Sequence, residues 1–216
     1  MKNILPTFEY ELEILRGGEI VIAGVDEVGR GALAGPIVAA AVVFENYQKL
    51  RPKLRGIRDS KTLTAKQREE FDKIIKSFAT DFAFGQAMPY EIDKHGIGAA
   101  NILAFKRALD GLTNCDFALI DGRRFRGFEY GYRCLIKGDS KSISIAAASI
   151  IAKVFRDSLM AKLHKEFEIY NFAKNFGYGT KYHIETIKKH GPSPHHRKSF
   201  LKKIYSETQS KKIPLS

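Results

Sequence analysis

Glu19-Ile20-Val21-Ile22-Ala23-Gly24-Val25-Asp26-Glu27-Val28-Gly29-Arg30-Gly31-Ala32-Leu33-Ala34-Gly35-Pro36-Ile37-Val38-Ala39-Ala40-Ala41-Val42-Val43-Phe44 is the stretch that decides the fold. Glu19 to Val25 is rich in β-branched residues and reads as a strand that runs into the acidic pair Asp26-Glu27. A glycine-rich turn follows, and Ile37 to Phe44 is an apolar run with the length of a buried strand. A parallel crossover needs roughly a dozen residues or more, so the short connection predicts an antiparallel pair.

Outward from this pair the chain alternates between helix and strand. Thr64-x-x-Gln67 is a capping box that opens a helix over Ala65 to Phe78. Strands are predicted over Asp81 to Ala87, Phe117 to Ile120 and Tyr132 to Lys137, and Pro89 stops the first of these. Helices are predicted over Ile97 to Leu112, Ser144 to Phe167 and Tyr182 to His190. In the long helix Ile151, Phe155, Leu159 and Leu163 make the buried stripe, and Ser149, Lys153, Arg156 and Asp157 lie on the opposite arc. Ala146-Ala147-Ala148 would let its first turns approach a sheet closely. The fold class is therefore α/β, a mixed central sheet flanked by helices. The tail after His195 is basic and weakly patterned, and the last ~20 residues are expected to be loosely ordered.

Composition narrows the function. The 216 residues carry 36 Lys plus Arg against 24 Asp plus Glu, a net charge of +12. That excess implies a polyanionic partner, nucleic acid ahead of an anionic membrane surface. Residues 123–216 hold 20 basic and 7 acidic residues, whereas residues 1–122 are nearly neutral at 16 and 17. Lys49 to Lys61 is a second basic stretch, with six basic residues and one acid. Two cysteines, Cys115 and Cys134, cannot make a disulfide scaffold and read as small buried hydrophobes in a reducing compartment. The longest apolar run is too short to span a bilayer, so the expectation is a cytoplasmic protein with no membrane contact.

The chemistry sits where strands end in acid. Val25 leads into Asp26-Glu27 and Ile120 into Asp121. One acid at a strand end is an ordinary turn or helix cap. Three at two neighbouring strand ends crowd like charges, and a hard divalent cation with oxygen ligands, Mg²⁺ or Mn²⁺, relieves them. Asp139, at the end of a third predicted strand, and Asp157, on the long helix, both qualify as a fourth acid. Gly29-x-Gly31-x-x-x-Gly35 is followed by Pro36 and a strand, not by the helix that a dinucleotide fingerprint needs. Glycines there would instead let the backbone approach a ligand, such as the 2′-hydroxyl that distinguishes RNA from DNA. The six histidines have no H-E-x-x-H spacing and are expected at the surface.

Six blocks then occur in the order of a known family. They are Gly24 to Gly31, Asp59-Ser60-Lys61-Thr62-Leu63, Leu119-Ile120-Asp121-Gly122, Lys137-Gly138-Asp139-Ser140, the Ala-rich Ile145 to Asp157, and Gly177-Tyr178-Gly179-Thr180. Together they resemble bacterial ribonuclease HII over roughly residues 20 to 195, with Val28 in place of the usual alanine. The resemblance implies a ribonuclease H-like fold with a helical C-terminal extension: an N-terminal segment 1–19, a catalytic domain 20–167 and an extension 168–216. With 25 residues before Asp26, the extra N-terminal domain of ribonuclease HIII is not expected.

It also implies an endoribonuclease that cuts the RNA strand of RNA–DNA hybrids and cleaves 5′ of ribonucleotides embedded in duplex DNA. Asp26, Glu27, Asp121 and Asp139 would be the catalytic, metal-holding acids, which places Asp139 ahead of Asp157. Gly29, Arg30 and Gly31 would read the 2′-hydroxyl, and Tyr178 would pack on the sugar beside the RNA-to-DNA junction. Ser60, Lys61, Lys153, Arg156, Lys181 and His183 would contact phosphates. Two ions about 4 Å apart, one activating water and one stabilising the leaving oxygen, would give 3′-hydroxyl and 5′-phosphate ends. The expected species is a monomer. Two rivals share the charge and the acids: a non-catalytic nucleic-acid-binding protein and a DNA nuclease of the same broad fold.

Overall fold

The computed structural model describes residues 5–18 and 20–210, except the side chains of residues 203 and 206–210. Its elements in chain order are α1 (Glu9–Leu15), β1 (Ile22–Val28), β2 (Ile37–Val43), α2 (Tyr47–Leu50), α3 (Ala65–Phe78), β3 (Asp81–Ala87), α4 (Pro89–Asp110), β4 (Phe117–Asp121), β5 (Gly131–Leu135), α5 (Ile143–Glu166), α6 (Phe172–Asn175), α7 (Lys181–His190) and α8 (Lys198–Ser210). The five strands form one mixed sheet in the order β3-β2-β1-β4-β5. β1 runs antiparallel to β2 and parallel to β4.

Two glycines set how closely the helices approach. A Cβ on Gly24 would stand 2.2 Å from the Ser144 carbonyl carbon, so α5 lies backbone-to-backbone on β1. Ala146, Ala147 and Ala148 are fully buried in that contact. On the other face a Cβ on Gly85 of β3 would stand 2.0 Å from the Ala104 carbonyl oxygen of α4. β2, with helices over both faces, is buried along its whole length, which its all-apolar sequence requires.

Several boundaries differ from the sequence-based expectation. Asp26 and Glu27 lie inside β1, not beyond it, because pairing to Ala40 and Ala39 of β2 carries the strand to Val28. Of the strand expected from Glu19, Glu19 itself lies outside the described residues. α4 begins at Pro89, breaks at Gly96 (φ 80°) and continues to Asp110. β5 stops at Leu135 because Lys137 turns into the left-handed region at φ 57°. The tail is not loose up to Ser210: Asp93 of α4 accepts hydrogen bonds from the Lys198 and Ser199 amides, capping α8, and Leu201 is buried. Residues 211–216 of the expected loose tail lie outside the described residues.

Gly24→Ala should force α5 off the sheet. Overpacking of a core contact costs roughly 1–3 kcal/mol, and a backbone clash belongs at the top of that range. A fall in Tm of about 6–12 °C in a thermal melt checks this; an unchanged Tm would show that the contact can relax.

Candidate active site

β1 and β4 are parallel neighbours, and their ladder ends at Val25 opposite Ile120. The residues that follow are Asp26 and Asp121, so both carboxylates leave the same edge of the sheet. Strand alternation puts both on the α5 face. Their neighbours show it: Leu119 packs with Ile145, whereas Val25 and Ile120 belong to the cluster on the α4 face. Glu27 points the other way and accepts hydrogen bonds from Arg30 (3.1 Å) and from Asn101 of α4. Asp139 stands on the turn Gly138–Ser140 that leads into α5. That turn is tied to β4, because the Gly138 amide donates to Asp121 Oδ1 at 2.6 Å.

Two clefts meet at these acids, and Lys61 borders both. One, of about 670 Å³, is bordered by Asp59, Lys61, Asp121 and Asp139, with Leu5 and Pro6 on its rim. The other, of about 740 Å³, is bordered by Glu27, the Gly29-Arg30-Gly31 turn, Ser60, Lys61, Lys153 and Tyr178. Asp26 sits beneath, bonded to Ser149, which in turn shares a 3.0 Å hydrogen bond with Ser60. Lys153 is held by Asp157 at 2.6 Å and lies 4.5 Å from the Phe176 ring centre. Lys181 is exposed at the start of α7 and borders neither cleft.

Two expected phosphate contacts are corrected by burial. Arg156, on the arc expected to be polar, is fully buried and donates to the carbonyls of Ala34, Pro36 and Phe176. Its guanidinium has no face left for a phosphate. A Cβ on Gly29 would stand 2.2 Å from Arg156 Nε, so Gly29 is glycine to admit this side chain. A second fully buried arginine, Arg197, donates to the carbonyls of Arg30 and Gly35. The turn from Arg30 to Pro36 is thus pinned from behind by two guanidiniums. Its front is free: among the described residues the Arg30 and Gly31 amides have no protein partner, and a Cβ on Gly31 would meet nothing within 4 Å.

His183 and His196 are buried too, against the expectation of surface histidines. The Ser193 amide donates to His196 Nδ1 (2.9 Å), which places the His196 proton on Nε2. That Nε2–H donates to His183 Nε2 (3.0 Å), and His183 Nδ1–H then donates to the Tyr178 carbonyl (2.9 Å). Both rings are neutral in this chain, and burial depresses both pKa values, that of His196 to about 4. The chain ends on the backbone of Tyr178, whose ring is exposed at the cleft.

Electrostatics shows what the cluster lacks. Burial raises the pKa of Asp26 well above the carboxylate range, and the charges of Glu27 and Asp121 raise it further. Burial raises Glu27 as well, partly offset by Arg30. Burial, with Asp59 and Asp121 nearby, pushes Asp139 up to about 6. Lys61 responds in kind: burial opposes its charge, yet Asp59, Asp26, Asp139 and Asp121 together raise its pKa. Among the described residues no three such side chains already form a metal cage. The donor set is nonetheless all carboxylate oxygen, which suits a hard divalent cation, and burial with like charge holds these carboxyls toward their neutral form.

Sequence reasoning passed over four contributors. Asp59 lies in a block that was singled out, but for its neighbours. Ser149 supports Asp26, and Asn101 supports Glu27. Glu11 of α1 is fully buried, and its carboxylate accepts from the Ser142 hydroxyl (2.6 Å) and the Ser144 amide (3.3 Å), capping α5 just past Asp139. No local pattern marks their part in the site, because each acts across more than seventy residues of chain.

An α/β domain that gathers carboxylates at the ends of adjoining parallel strands, with lysines at the cleft edge, is built to handle phosphate esters. The comparisons with known proteins give the rest. The ribonuclease HII family matches residues 23–204, and the chain belongs to that family. A ribonuclease HII from Clostridium botulinum (strain Hall / ATCC 3502 / NCTC 13319 / Type A) is 47% identical over 196 residues, which cover 90% of this chain and 73% of that one. The ribonuclease H2 of Pyrococcus horikoshii OT3 has the same fold at a TM-score of 0.72 and 28% identity, covering 88% of this chain and 99% of that one. Bst-RNase HIII in complex with Mn²⁺ shares the fold at a TM-score of 0.66 and 19% identity, covering 89% of this chain and 71% of that one. The expected ribonuclease H-like fold is the one present, and the protein is a metal-dependent endoribonuclease of the ribonuclease H type.

A metal-free melt reads the acid cluster directly. Asp139, with a folded pKa near 6, stabilises the fold only while protonated, and this contribution is lost as pH rises through about 6. His183 and His196 act oppositely, since their depressed pKa values withdraw stability as pH falls below about 6.5. The comparison must therefore be between variants. In EDTA, Asp139→Asn should melt above wild type, by a margin that grows from about pH 5 to about pH 7. A margin that shrinks over that range contradicts the electrostatic account.

Proposed function

We propose that this protein hydrolyses the RNA strand of RNA–DNA hybrids and cuts 5′ of single ribonucleotides in duplex DNA, leaving 3′-hydroxyl and 5′-phosphate ends by a two-metal-ion route. The observation that carries the reading is a juxtaposition. Asp26 and Asp121 share one sheet edge beside a turn whose Arg30 and Gly31 amides are free to donate. In this reading the protein acts as a cytoplasmic monomer, residues 20–167 are the catalytic domain and residues 168–216 the extension. Among the described residues no helix is long and apolar enough to cross a membrane.

Asp26, Glu27, Asp121 and Asp139 would hold the cations, Mg²⁺ or Mn²⁺. When bound, these supply a nucleophile at neutral pH and neutralise charge on the phosphate. The chain does the rest. Lys61, its charge reinforced by the surrounding acids, meets the phosphate where the two clefts join. The amides of Arg30 and Gly31 donate to the 2′-oxygen, a contact that a deoxyribose cannot make. Tyr178 offers its ring to the next sugar, and the His183–His196 chain fixes its backbone. Glu27 is held by Arg30 and Asn101, so the turn that reads the sugar and an acid of the cluster share one ion pair.

The test is a pair of DNA duplexes, with and without one internal ribonucleotide, incubated with Mg²⁺, Mn²⁺ or EDTA. Cutting of the ribonucleotide duplex alone, and none in EDTA, is expected; equal cutting of both supports a DNA nuclease, and no cutting of either a binding protein. Asp26→Asn and Asp121→Asn should lower kcat by at least about 10³-fold while the duplex still binds. Wild-type turnover by either would remove these acids from the chemistry. Tyr178→Ala should lower kcat/KM at a single ribonucleotide by about tenfold, or ~1.4 kcal/mol, with only a modest fall in Tm, because the exposed ring rests one face over the Arg156 guanidinium at 5.5 Å. A large fall in Tm instead would make Tyr178 a packing residue.

A further inference from the structure

The loop between β4 and β5 begins at Asp121 and reads Gly122-Arg123-Arg124-Phe125-Arg126-Gly127-Phe128. Its side chains are sorted by type: Arg123, Arg124 and Arg126 are exposed, while Phe125 and Phe128 turn inward. Phe125 stacks on Tyr132 with ring centres 5.0 Å apart, Phe128 meets Phe125 edge-on at 5.3 Å, and Phe105 of α4 lies 6.0 Å from Phe125. The Tyr132 hydroxyl donates to the Phe125 carbonyl, and the Gly122 amide to the Leu135 carbonyl at 3.0 Å. Glycines with φ 110° and 75°, at 122 and 127, make the bends. This is a built projection, and its arginine heads are what it presents.

Those heads have no acid partner among the described residues. Glu129, which follows the loop, pairs with Lys106, and Asp110 is engaged by Lys106 and the Tyr130 hydroxyl. Arg133, which borders the same hollow as Arg124, is by contrast paired with Glu13 at 3.1 Å. Hollows of about 510 Å³ and 440 Å³ open on either side of Arg124, and Gly122 joins the first directly to Asp121 at the acid cleft. A row of guanidiniums on a stiff loop, running away from a phosphate-processing centre, complements a phosphodiester backbone. Preorganised guanidiniums also lose less freedom on binding than lysines in flexible segments.

We propose that Arg123, Arg124 and Arg126 form a second phosphate-binding surface, which holds one flank of the duplex on the Asp121–Asp139 side of the active site. The cleft at Tyr178 and Arg30 lies across the acids from it. This rests on the proposed nucleic-acid substrate and adds to it a direction, because one flank of the cut site would matter more to this loop than the other.

The experiment compares wild type with Arg123→Gln/Arg124→Gln/Arg126→Gln. Binding of a duplex carrying one ribonucleotide is measured in EDTA over a range of salt, followed by cleavage in Mg²⁺. Loss of three phosphate contacts should reduce the slope of log K against log salt by about 2.7 and weaken binding at least about tenfold near 0.15 M salt. Shortening the duplex on one side of the ribonucleotide should weaken the wild type and leave the variant indifferent; shortening the other side should weaken both. The proposal is overturned if the variant keeps the wild-type slope, or if both proteins respond equally to shortening on either side. Loss of affinity for an acidic protein with duplex binding intact would likewise overturn it. A wild type that cuts no ribonucleotide duplex would overturn the parent reading and this one together.

Discussion

Like charges crowded at the end of a parallel strand pair are the constraint on which the site depends. The β1–β4 ladder ends at Val25 opposite Ile120, so Asp26 and Asp121 emerge together on the α5 face. Burial then raises the pKa of Asp26, and Asp121 and Glu27 add to it. Such an arrangement destabilises a fold unless positive charge arrives. The surroundings limit that strain: Ser149 and the Glu27 amide donate to Asp26, and the Gly138 amide to Asp121. α5 can bring Ser149 there only because Gly24 lets it lie directly on β1. The close helix–sheet contact and the acid cluster are therefore one design.

A second constraint joins distant parts of the chain. Arg156 from α5 and Arg197 from the C-terminal segment are both buried without a carboxylate and satisfied by backbone carbonyls of the turn from Arg30 to Pro36 and of Phe176. Burial lowers both pKa values, and the nearby Arg156 charge helps bring Arg197 down to about 9. Carbonyl oxygens hold each guanidinium there without placing another carboxylate beside the acid cluster. The turn that borders the cleft is thus fixed by residues more than a hundred positions away, and the C-terminal segment belongs to the framework of that cleft.

What the sequence made legible follows from the range of each interaction. The Thr64–Gln67 capping box is local, and α3 starts where it predicts, at Ala65. Asp26, Glu27 and Asp121 stand out in the sequence because each follows an apolar run, although Asp26 and Glu27 lie inside β1 and not beyond it. Arg156 and His183 misled because a polar residue on a helix arc normally faces water; here each is buried by a partner segment that no periodicity reveals. The residue pattern after His195 does not reveal α8, although the resemblance implies a helical extension, since the cap of α8 is Asp93, borrowed from α4. Three of the four acids came from the residues themselves, whereas the choice of Asp139 over Asp157 needed the family resemblance; in the structure Asp157 pairs with Lys153.

The central claim is that the crowded carboxylates are a cation site in waiting, and proton release on metal binding measures it most directly. Ligating carboxylates must be deprotonated, so cations and protons compete for this cluster. Mn²⁺ titrated into the full chain near pH 6, in buffers of different ionisation enthalpy, should release on the order of one proton per protein. Release should decline as pH rises, and Asp26→Asn should abolish the tight binding. Mn²⁺ affinity that is independent of pH between about 5 and 8, with no proton released, would contradict the account.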